Sequence, residues 1–113
     1  MKPETLEELL TTAYRELAEQ RETLTLQAES AAAYRYSLET AKAELTLSGT
    51  ITGKNETERA ASARMTLKLL YDDVEKSEQF VNRFRAHLET CERRVEYLRA
   101  LLRIAELTES KPE

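Results

Sequence analysis

Few side chains in this sequence could act as nucleophile, base or ligand. His87 and Cys91 are its one histidine and one cysteine. Four residues apart on a helix, they would share a face and could touch, as a nucleophile and its base must. Cys91 also falls on the apolar stripe described below, where a thiol packs as a small hydrophobe. That packing role is the preferred reading. One Cys and one His cannot complete a zinc ligand set, and the paired Glu-x-x-His motifs of a di-metal bundle are absent. Thr52-Gly53-Lys54-Asn55 has the ending of a phosphate-binding loop. The required first glycine is replaced by Ser48, however, and no strand pattern precedes it. Asp72, Asp73 and Glu75 read as a solvated helix face. These residues point away from an enzyme and imply no metal and no cofactor.

The arginines of the last third offer a different chemistry. Arg83, Arg85, Arg93, Arg94, Arg99 and Arg103 share their interval with three acids, Glu89, Glu92 and Glu96. Arg83, Arg93, Arg94, Arg99 and Arg103 are thus candidate contacts for an anionic partner, nucleic acid included. Intrahelical pairing, with Glu89 reaching Arg93 and Glu92 and Glu96 meeting neighbours three or four residues away, is the preferred alternative. Lys54, Arg59, Arg64 and Lys68 form a second, weaker basic area. Residues 1–49 hold five basic and nine acidic side chains, and residues 50–113 twelve of each. Neither half therefore resembles a basic nucleic-acid-binding arm.

The elements that would carry these residues must be helices. Across 113 residues there are only 2 Gly and 2 Pro, too few for a fold rich in turns. Leu10, Leu17, Leu24, Ala31, Leu38 and Leu45 recur every seven residues, with Ala13, Gln20, Gln27, Tyr34 and Ala41 three residues later. This is a coiled-coil seam. At Gln20 and Gln27 either the glutamines are buried and hydrogen-bonded, or the seam drifts toward Arg21 and Ala28. A second stripe runs through Ala60, Leu67, Val74, Val81, Leu88, Val95 and Leu102, accompanied by Ala63, Leu70, Ser77, Phe84, Cys91, Leu98 and Ala105. The first helix is expected over about 3–47, opened by Pro3, whose missing N–H costs nothing at a first helical position. A loop follows over 48–54, holding both glycines. The second helix is expected without interruption over about 55–107. Asn55 is its cap and Glu58 the capping-box partner, a role preferred over glycosylation of Asn55-Glu56-Thr57. A short disordered tail, 108–113, ends the chain.

A joint of about seven residues makes the helices antiparallel neighbours. The expected fold is a single all-α domain, an antiparallel two-helix coiled-coil hairpin that dimerises into a four-helix bundle. One seam is a marginal core, and apolar residues remain beside it. Leu98, Leu101, Leu102, Ile104, Leu107, Leu6 and Leu9 are the candidate self-association surface. The implied partners are a second copy of the chain and an unidentified protein; nucleic acid is the alternative and no membrane is implied. The lone cysteine and the missing signal-peptide pattern suggest the cytoplasm.

The strings Leu45-Thr46-Leu47-Ser48-Gly49 and Gly53-Lys54-Asn55-Glu56-Thr57-Glu58-Arg59 resemble small all-helical proteins of bacteriophages and prophages. Those share a long helix, a Gly-Lys-Asn loop and a Glu/Arg/Leu-rich second helix. The resemblance implies no activity, only a small accessory or host-directed inhibitor protein. Small secreted helical hairpins of the Trp-x-Gly type match in length, but this chain contains no Trp.

Overall fold

A computed structural model describes residues 2–109. Among them are three helices and no strand: α1 (Pro3–Leu47), α2 (Glu56–Thr66) and α3 (Lys68–Glu109). The expected tail lies mostly outside the described residues; Thr108 and Glu109 within it are helical. No described helix is long and apolar enough to cross a membrane.

The contacts divide the chain into two compact units. One joins the residues up to Leu24 with those from Arg83 onward, and the other is Thr25–Asn82. In each, α1 and α3 pair antiparallel, as the arms of a helical hairpin do. In the first unit Leu6, Ala13 and Leu17 of α1 pack with Cys91, Val95 and Leu98 of α3. Leu9, Leu10, Leu88, Leu101, Leu102 and Ala105 pack around this core. In the second unit the buried side chains are Leu38, Ile51, Ala63, Val74, Ser77 and Val81. Ser77, the polar exception in the seam, donates its hydroxyl to the Val74 carbonyl at 2.9 Å, so its burial leaves no proton unpaired.

The seven-residue stripes hold with two exceptions. Tyr34 is 42% exposed and Ala60 is exposed, so neither belongs to a core. Gln20 and Gln27 stay half-buried while Arg21 and Ala28 face solvent, so the seam does not drift. The Gln20 Oε1 is nonetheless buried without a hydrogen-bond partner.

The end of α1 is a Schellman turn. Gly49, at φ 78°, takes the left-handed position, its N–H bonds to the Thr46 carbonyl, and the Thr50 N–H reaches back to Leu45. Ile51 follows at once and is 6% exposed, so the loop plugs its own unit with an apolar side chain. At the start of α2, Asn55 Oδ1 accepts the Glu58 N–H at 2.9 Å, as the capping box requires. Glu58 Oε2 accepts from the Lys54 N–H, one residue before the cap. Gly53 is fixed by space: a Cβ there would stand 2.6 Å from the Arg59 nitrogen and 2.8 Å from Glu58.

The second helix is not continuous as expected. It breaks at Leu67 (φ −110°, ψ 30°), where no Gly or Pro marks the sequence. Arg64 crosses the break to bond Glu75 at 2.5 Å. In a straight helix eleven residues rise roughly 16 Å, more than these two side chains span. The bend makes the contact possible. The Tyr71 ring lies beside the same guanidinium, 5.2 Å from its centroid, with Lys42 Nζ of α1 at 6.0 Å. One ring thus meets cations from two other helices.

Candidate functional site

His87 and Cys91 do stand next to each other, with Sγ 3.9 Å from Nε2. Cys91 is 8% exposed and is part of the first unit's core. The thiol shares its core cluster with Leu17, Val95 and Leu98, beside an exposed imidazole. Lys54 and Gly53, the end of the incomplete phosphate-loop string, are committed to capping α2. Glu75 is committed to Arg64. No three described His, Cys, Asp or Glu side chains come together in a metal-holding group.

The arginines part company in three dimensions. Arg99 and Arg103, one turn apart, share a shallow groove with Leu10 and Leu102. Arg94 lies seven residues before Leu101, two turns back on a different flank of α3, where Leu6, Leu101 and Ile104 line a second groove. The expected intrahelical pairs do not form. Glu92 points instead to Arg21 of α1, at 3.9 Å. Among the described residues Arg93, Arg94, Arg99 and Arg103 carry no ion pair. Arg83 does have a partner, so it is not a free cation.

The expected self-association surface is also redistributed. Leu6 (2% exposed) and Leu98 (5%) are consumed by the core within one chain and cannot face a partner. Leu9, Leu101 and Leu102 are half-buried. Ile104, at 61%, and Leu107, at 58%, remain largely in water. Tyr97 joins them at 63%, four residues before Leu101 and seven before Ile104, so these three form one stripe along α3. Tyr97 was not among the expected surface residues, and its place on the stripe needed the observed orientation of the core.

The feature that stands out chemically is therefore an apolar flank in the first unit. Leu101 and Ile104 line a groove together with Leu6, Ala105 and Pro3, and Tyr97 continues their stripe along α3. It can bury another apolar surface; it presents no group poised for bond making or breaking. Set against protein-family models, curated proteins and solved structures, the chain matches none.

Proposed function

We propose that this protein is a non-catalytic interaction module that self-associates through the apolar flank of its first unit, as a twofold dimer with four helices in the contact. The observation that carries the reading is the stripe of exposed Tyr97 and Ile104 and half-buried Leu101 beside the two-helix core. Burying a large apolar side chain stabilises by roughly 1.5–3 kcal/mol, and a twofold contact uses each of these residues twice. Such a sum is comparable to the net stability of a small domain. The helix-start string around Gly53-Lys54-Asn55 supports placing the module among small phage accessory or host-directed proteins. An accessory nucleic-acid role is the weaker reading, because Arg94 stands on a different flank from Arg99 and Arg103 and the cations do not line one strip.

Light scattering or sedimentation at tens of micromolar is the test. The wild-type chain should run as a dimer, and Ile104→Glu should run as a monomer with its helix content intact. A wild-type chain that stays monomeric would sink the proposal.

A further inference from the structure

The apolar flank continues into charge. Glu16 lies fourteen residues beyond Lys2, and Arg94 seven residues before Leu101 on α3, so each falls on the flank of its own helix that leads into the groove. Antiparallel pairing, in the register of Arg21 against Glu92, places Glu19 at the level of Arg94 and Glu16 one turn away at the level of Tyr97. Glu16, Glu19, Arg93 and Arg94 are exposed, and none has an ion pair among the described residues. The imbalance extends over the whole unit. Between Glu4 and Glu22, α1 carries six acidic and two basic residues, whereas between Arg83 and Arg103, α3 carries six basic and three acidic ones.

Two twofold arrangements could bury the stripe of Tyr97, Leu101 and Ile104. With the axis across the helices, α1 meets the partner's α1 and α3 the partner's α3, acid against acid and base against base. With the axis along the helices, α1 meets the partner's α3 at the same level. Like charges brought together across an interface oppose association, and unlike charges favour it. We infer that the occupant of the groove is a second copy docked with the axis along the helices, so that Glu19 of each chain faces Arg94 of the other, with Glu16 and Arg93 within a turn of that pair. The inference rests on the self-association proposed above and specifies which helices meet.

Sedimentation equilibrium across a salt series, on the wild-type protein and charge variants, tests it. In the inferred arrangement added salt screens an attraction, so the dimer Kd rises with ionic strength. Arg94→Glu creates two repulsive pairs in place of two attractive ones and should raise Kd about tenfold. Glu19→Arg should do the same, and the double variant Glu19→Arg/Arg94→Glu should return Kd to near the wild-type value. Circular dichroism on each variant confirms that the helices persist. A dimer whose Kd falls or stays level with salt, or which ignores both reversals, overturns this geometry while self-association stands. A wild-type monomer at tens of micromolar overturns both.

Discussion

The two units solve the same packing problem with different means. The unit formed by Thr25–Asn82 is closed by specific polar fixtures: the Schellman turn at Gly49, the Asn55 cap, the Arg64–Glu75 bridge, the Arg35–Glu78 pair and the ring of Tyr71 between two cations. Its loop supplies its own apolar plug, Ile51. The unit formed by the residues up to Leu24 and from Arg83 onward shows fewer such fixtures among the described residues. Its helices meet through Leu, Val, Ala and Cys side chains, with one long ion pair, Arg21–Glu92, across them. It also leaves Tyr97, Ile104 and Leu107 largely uncovered. A turn gives a unit local bonds that fix its geometry in one chain. A pair of helix ends lacks such a turn, and here it leaves apolar side chains in water.

That contrast can be broken most directly at its apolar side. Leu6→Ala removes a side chain that is 2% exposed and should destabilise the fold by about 3 kcal/mol in chemical denaturation. Hydrogen exchange should show the first unit opening before the second. If the loss spread evenly over both, their difference in construction would not matter to stability. Gly53→Ala tests the opposite unit. The new methyl meets backbone at 2.6 Å, so α2 must shift, at a cost of about 2 kcal/mol. Faster exchange should be confined to residues around the loop and α2, and the oligomeric state should not change.

Smaller effects sharpen the same picture. Gln20→Leu removes the buried Oε1 that has no hydrogen-bond partner and should raise stability by about 1 kcal/mol, read as a higher denaturation midpoint. A loss of stability would show that Gln20 is satisfied in solution by water. Asn55→Ala deletes the cap and should cost about 1 kcal/mol. Arg64→Ala loses a short ion pair and a ring contact together, and should cost roughly 1 kcal/mol. Arg21→Ala, whose pair is 3.9 Å long between exposed groups, should change stability by less than about 0.3 kcal/mol. Equal effects from the two arginines would erase the distinction drawn between the units.

Much of this fold was legible in the residues. Pro3, the two glycines and the Asn55–Glu58 spacing marked the helix ends, because start and stop signals act over one turn and need no distant partner. The seven-residue stripes marked which faces pair, since a side chain's direction along a helix follows from its spacing. The break at Leu67 was not legible. The contact it permits joins Arg64 and Glu75, eleven residues apart, and no local propensity signals it. Ile51 could have been found as the one large apolar residue in a loop of Ser, Gly and Thr.

The candidate site was legible in composition and not in arrangement. The sequence by itself determined that the chain is helical, that its helices carry apolar seams, and that α1 is acidic where the later part of α3 is basic. Only the tertiary structure decided that Leu6 and Leu98 are spent inside one chain, that Tyr97 joins Leu101 and Ile104 on the open flank, and that Arg94 parts from Arg99 and Arg103. The reason is geometric. Spacing fixes which residues share a helix face, but the rotation of each helix against its neighbour decides which face is covered.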